Sequence, residues 1–198
     1  MARELNHRLT ATDARFLYFE KPGEAMNTGG CLIYDGHIST EEFVRLFAER
    51  LHALPRYRQR VVFPPFGLAH PTWEDDPEFD LKNHVEEVTL PAPGDDLSMS
   101  SVGGEFFARL MDRRHPLWQV LLIQGRPDGN TAMLWKLHHA MVDGVSGVDV
   151  TMVIHDLKPT GDPRPPAPGV WTPRPLPDAI AQMQESVRDR SRARWAGR

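Results

Sequence analysis

His138-His139-Ala140-Met141-Val142-Asp143-Gly144 gathers the residue types that can move a proton. A neutral imidazole takes a proton from a hydroxyl or amine near neutral pH. Asp143, four residues beyond His139, can orient an imidazole, or pair with a distant arginine and hold the loop. Gly144 permits the positive φ or close backbone approach needed to turn out of the motif. Adjacent residues on a strand point to opposite faces, so His138 and His139 cannot both reach one substrate atom while the strand stays regular. One faces the reaction and the other packs. Parity groups His139 with Met133, Trp135 and Leu137, and His138 with Leu134 and Lys136, without saying which face is the cleft.

The elements that must present the pair are legible around it. Leu117 to Gly125 and Thr131 to His138 are apolar runs joined by Arg126-Pro127-Asp128-Gly129-Asn130, whose turn chemistry predicts a hairpin. The histidines therefore fall at a strand end, and Val145 to Leu157 follows with helical spacing. Upstream, Met26 to Tyr34 reads as a strand running into Asp35-Gly36. Ser39-Thr40-Glu41-Glu42 is a capping box ahead of a helical face of Phe43, Leu46, Phe47, Arg50, Leu51 and Leu54, ended by Pro55. Arg60 to Phe63 predicts a short strand stopped by Pro64-Pro65, and Ser100 to Arg114 a helix burying Phe106, Phe107, Leu110 and Met111. The acidic stretch from Trp73 to Glu87 resists assignment. Strands and helices alternate, which predicts a mixed α/β or α+β class.

Eight prolines between Pro159 and Pro177 read as a linker, leaving a body of residues 1–158 and a tail of 178–198. The tail carries five arginines among Ile180, Met183, Val187 and Trp195. It reads as a helix docked on protein, as the frayed start of a second lobe, or as a basic amphipathic helix on anionic lipid. The chain is 40% hydrophobic and 25% charged with net charge −4, which gives no bulk attraction for nucleic acid. Cys31 is the sole cysteine, so no intrachain disulfide forms and no cysteine-rich metal site exists. No secretory h-region opens the chain and no run nears the roughly 20 apolar residues of a membrane span, so a lipid substrate would be met from the membrane surface.

Other chemistries fit less well. His138, His139 and Asp143, with His155 or His115, could offer metal ligands, but adjacent strand histidines chelate poorly and no familiar zinc spacing is present. Gly144-Val145-Ser146-Gly147 lacks the spacing of a serine hydrolase elbow, and Gly29-Gly30 and Gly103-Gly104 are too short for phosphate loops. No metal, cofactor or organic prosthetic group is predicted.

The stretch His138-His139-Ala-Met-Val-Asp143-Gly144 resembles the HHxxxDG signature of the coenzyme A-dependent acyltransferases. Pro116-Leu117-Trp118 looks like the PLW motif of bacterial wax ester synthase/diacylglycerol acyltransferases. Leu9 to Leu17, Met26 to Gly30 and Pro55 to Arg60 are similar to the way those enzymes begin. The resemblance covers residues 5–158 and disfavours a peptide-synthetase condensation domain.

It implies the N-terminal lobe of a chloramphenicol acetyltransferase-like fold, an α+β two-layer sandwich. It also implies transfer of a fatty acyl group from acyl-CoA to diacylglycerol or a long-chain alcohol. His139 would then be the general base, His138 and Asp143 would shape the site, and Gly144 with Pro116, Leu117 and Trp118 would support it. For Trp118, plain core packing is the competing reading. Implied partners are acyl-CoA as substrate, the acceptor lipid, the inner face of the membrane or a lipid droplet, and a second lobe or homodimer. The alternative is a non-catalytic lobe that binds lipid or protein.

Overall fold

Two apolar runs separated by a Pro-Asp-Gly-Asn turn form the centre of the molecule. In the computed structural model, residues 7–142, 153–156 and 169–196 are described. The helices are α1 (Ala11–Phe19), α2 (Thr40–Arg50), α3 (Asp96–Ala108) and α4 (Ala179–Ala196). The strands are β1 (Asn27–Tyr34), β2 (Gln59–Val62), β3 (Thr72–Asp75), β4 (Val85–Thr89), β5 (Trp118–Gln124) and β6 (Thr131–His138). Four strands make one sheet in the order β1-β6-β5-β4, antiparallel except for the parallel pair β4 and β5, which α3 connects. β2 and β3 form a separate antiparallel pair.

The sheet is covered on both faces. Trp118, Val120, Leu122, Met133 and Leu137 pack with Phe43 and Phe47 of α2, Leu17 of α1, and Val61 and Trp73 of the small sheet. Leu121, Ile123, Ala132 and Leu134 pack with Phe106 of α3. That is why β5 is apolar without alternation: a strand buried on both faces has no solvent side to encode.

β1 sits unusually close to β6. A Cβ built on Gly29 would lie 1.8 Å from the Trp135 carbonyl oxygen, and one on Gly30 would lie 2.9 Å from the Trp135 ring. These glycines are spacing residues of a strand. The α2 cap is as predicted, Ser39 Oγ accepting from Glu42 N–H at 3.2 Å.

The structure corrects two local expectations. The helix placed at Ser100–Arg114 runs from Asp96 to Ala108. Asp95 caps it by accepting from Ser98 N–H at 2.9 Å, and Arg109 is already extended (φ −69°, ψ 129°). Consequently Leu110 is exposed and Met111 joins the opposite core. The unassigned stretch contains β3, whose four residues are all buried, a single turn at Leu81–His84, and β4. The β3 acids Glu74 and Asp75 are buried because each has a partner. Glu74 meets Thr72 Oγ (2.8 Å) and His7 (3.0 Å), and Asp75 takes hydrogen bonds from Gln59 (3.0 Å) and Arg174 (2.9 and 3.0 Å).

Candidate active site

β6 divides its side chains between the two faces, and the division decides what each histidine can do. Lys136 and His138 lie on the α3 side. Lys136 is fully buried, donates to the Phe106 carbonyl (2.8 Å), and lies 4.3 Å over the Phe106 ring. Asn27, opposite His138 on β1, donates to the Phe107 (2.8 Å) and Arg109 (3.1 Å) carbonyls. Together they satisfy the C-terminal carbonyls of α3, which would otherwise be orphaned in the interior. Burial pulls the Lys136 ammonium down to about 8, with Arg109 adding to the fall.

His138 ends the strand and is also fully buried. Its N–H donates to the Leu117 carbonyl at 2.9 Å, tying the Pro116-Leu117-Trp118 segment to the histidine pair. Its Nδ1 accepts from Ala140 N–H at 3.0 Å, which opens the single helical turn His139–Met141. An accepting Nδ1 puts the neutral ring's proton on Nε2. Nε2 faces Glu20 Oε1 at 3.3 Å, too poorly aimed for a full hydrogen bond. Burial drives the His138 imidazole down to about 4. Glu20 opposes that fall, while Arg113 and His139 reinforce it.

His139 leaves the strand, so it is half-buried and not on the face opposite His138 in a regular ladder. Its N–H donates to the Met26 carbonyl (2.8 Å), and its ring stacks on Phe16 of α1, centroids 4.6 Å apart and planes at 16°. Glu20, whose side chain is 2% exposed, follows α1 directly. It accepts from Arg113 (3.1 Å) and from Met26 N–H (3.2 Å).

Asp143 and Gly144 lie outside the described residues, as does most of the helix expected over Val145–Leu157. Pro116, Leu117 and Trp118 are buried. Trp118 is core: its Nε1 donates to the Tyr57 carbonyl (2.9 Å), and its ring stacks on His84 at 4.4 Å. The histidines considered as extra metal ligands are engaged elsewhere, His115 with Asp76 (3.0 Å) and His155 with Tyr34 Oη (2.7 Å). Phe16, Glu20, Met26, Arg113 and Lys136 were not anticipated. Only Lys136 left a signal, as a charge inside an apolar strand.

The mixed sheet thus ends in a stacked, half-exposed imidazole beside a buried one. The chain belongs to the family described as the wax ester synthase/diacylglycerol acyltransferase catalytic domain, whose model matches residues 9–195. It is 34% identical over 187 residues to a Mycobacterium tuberculosis protein named as a diacylglycerol O-acyltransferase, covering 92% of this chain and 39% of that one. A second from that species, named tgs3, matches at 34% over 92% of this chain and 68% of its own length. Among solved structures, the wax ester synthase/diacylglycerol acyltransferase from Marinobacter aquaeolei VT8 is similar at TM-score 0.57 and 31% identity, covering 73% of this chain and 37% of that chain. A condensation domain of the calcium-dependent antibiotic synthetase shares the fold at TM-score 0.57 and 18% identity, covering 71% and 34%. This chain thus spans about two fifths of the first of these relatives.

Proposed function

We propose that this chain is the first lobe of an acyl-CoA-dependent O-acyltransferase, with His139 as its general base. The observation that carries the reading is the division of labour between the two imidazoles. His138 is fully buried, neutral and spent on holding its own turn, whereas His139 is half-exposed at the strand end with its main chain pinned to Met26 and its ring seated on Phe16. His139 takes the proton from the hydroxyl of a diacylglycerol or long-chain alcohol. The oxygen attacks the acyl-CoA thioester carbonyl, the carbon–sulfur bond breaks, and the CoA thiolate leaves and collects a proton. Asp143 and Gly144 are proposed to shape the site alongside His138. Positioning and exclusion of water supply most of the acceleration in such a reaction, so a second lobe or a second copy closing over His139 belongs to this reading.

The lipid is met at a surface. Among the described residues no helix is long and apolar enough to cross a membrane. Tyr18 and Phe19 at the end of α1, and Phe66 at 90% exposure, offer aromatic side chains of the kind that settle at a membrane–water boundary. Attachment is therefore proposed to be peripheral, at the inner membrane face or a lipid droplet.

The test is release of CoA by residues 1–198 given palmitoyl-CoA with dioleoylglycerol or hexadecanol. Turnover that falls about 10²–10⁴-fold in His139→Ala supports the base. Turnover equal in both proteins removes His139 from the chemistry. No turnover in either leaves a lobe that binds lipid or protein without independent catalysis.

A further inference from the structure

We infer that Glu20 is a positioning residue for the reaction, its carboxylate supporting the Nε2-protonated tautomer that Ala140 sets in His138 and holding the seat of the His139 ring. The inference rests on the reading of His139 as base. It starts from a carboxylate almost wholly removed from water, which is costly unless every oxygen is engaged. Oε2 takes the Arg113 guanidinium at 3.1 Å, and Oε1 takes Met26 N–H at 3.2 Å while facing His138 Nε2 at 3.3 Å. Arg113 is itself held, donating to the Leu17 carbonyl of α1 at 2.7 Å.

Two routes lead from that carboxylate to the histidine pair. The first runs through His138. With Nδ1 accepting from Ala140 N–H, the ring proton must sit on Nε2, and Glu20 is the anion it faces. The opposite tautomer would set two N–H groups against each other at Ala140 and break the cap of the turn that begins with His139. The second route runs through Met26. Its N–H is held by Glu20 and its carbonyl receives His139 N–H, so the peptide that carries the base is registered against the end of α1. The same helix supplies Phe16, on which the His139 ring lies. Glu20 therefore couples the ring, the main chain and the neighbouring imidazole of the base without touching substrate.

Glu20→Gln keeps the shape but cannot satisfy all three partners. An amide presents one acceptor and one donor group, so either Arg113 or the Met26 and His138 pair meets an N–H. The experiment is nitrogen-15 NMR of the histidine rings in the full 198-residue chain, with acyl transfer measured beside it. The wild type is expected to show His138 neutral with its proton on Nε2 and the His139 ring protons shifted by Phe16. In E20Q the single His138 tautomer and that ring shift are lost. kcat falls about a hundredfold, with KM for palmitoyl-CoA unchanged, as expected for a base displaced by about an ångström.

A wild-type His138 carrying its proton on Nδ1 overturns the inference, and this reading holds even if E20Q does not fold. An E20Q protein of lower stability whose histidine spectra and kcat match the wild type also overturns it, because a merely structural carboxylate behaves that way. Should the wild type show no turnover while E20Q still alters both rings, independent catalysis by this chain fails and the positioning of the pair by Glu20 stands.

Discussion

Burial decides how the His138 imidazole titrates. His138 has no exposed surface and spends its Nδ1 on Ala140, so its charged form is disfavoured and its imidazole titrates near 4 against 6.5 in an unfolded chain. Between those values the unfolded state binds the proton and the folded state does not, so stability must fall as pH drops from about 6.5 to about 4. Unfolding free energies from urea titrations across that window should decline by up to about 1.4 kcal/mol per pH unit, a slope missing in His138→Gln. A second acid loss belongs to Asp75. Burial pushes its carboxyl up, but the hydrogen bonds from Arg174 and Gln59 bring it to about 2. Its contribution is complete above 3.8 and is lost as pH falls toward 2. Lys136 can be probed by Lys136→Met, which keeps the apolar stem and leaves the Phe106 carbonyl unpaired. A loss of about 1–3 kcal/mol in chemical denaturation is expected.

β1 and β6 depend on each other through a contact that side-chain patterning does not encode. Gly29→Ala drives a methyl into the Trp135 backbone oxygen, which cannot move without breaking the ladder. A loss beyond about 4 kcal/mol, or failure to fold, is expected by thermal melting. Gly30→Ala meets only the Trp135 ring, which can rotate, and should cost less. The hairpin of β5 and β6, the strand β1 and the capped helix α2 were all readable, because turn residues, apolar runs and a capping box are local signals. β3 was not, because its Thr-Trp-Glu-Asp sequence looks solvated until His7, Gln59 and Arg174 arrive from distant parts of the chain. The end of α3 was misplaced because Leu110 and Met111 continue the apolar spacing after the backbone has turned away at Arg109. For the site, the motif located both histidines, but no local signal marks Glu20. Nothing local says that Arg113 will cover it.

At the scale of the molecule, the described end of the proline-rich region is tied to the small sheet and its surroundings. Arg174 binds Asp75 on β3, and Trp171 packs edge-on against Phe79 with Arg58 5.0 Å from its ring. Arg174→Ala should free that segment, giving red-shifted Trp171 fluorescence and faster proteolytic cutting near residues 169–178. Beyond it, α4 returns to the start of the chain, Asp189 pairing with Arg8 at 2.5 Å and Glu185 lying 3.8 Å from it. Ile180, Met183 and Val187 face outward.

The β1–β6 ladder has its own consequence for how the molecule forms. Its register joins Asn27 to His138 and Tyr34 to Thr131, residues roughly a hundred positions apart, whereas β5 and β6 are joined by a short turn. Closing so long a loop is slow relative to zipping a hairpin. On a ribosome, β1 emerges long before its partner strand exists, and Met26, Phe16 and Glu20 wait with it. Pulse-labelled amide exchange during refolding should find β5 and β6 protected before β1. The histidines would be among the last residues to acquire their geometry, so a folding intermediate of the whole chain would hold the hairpin without the site.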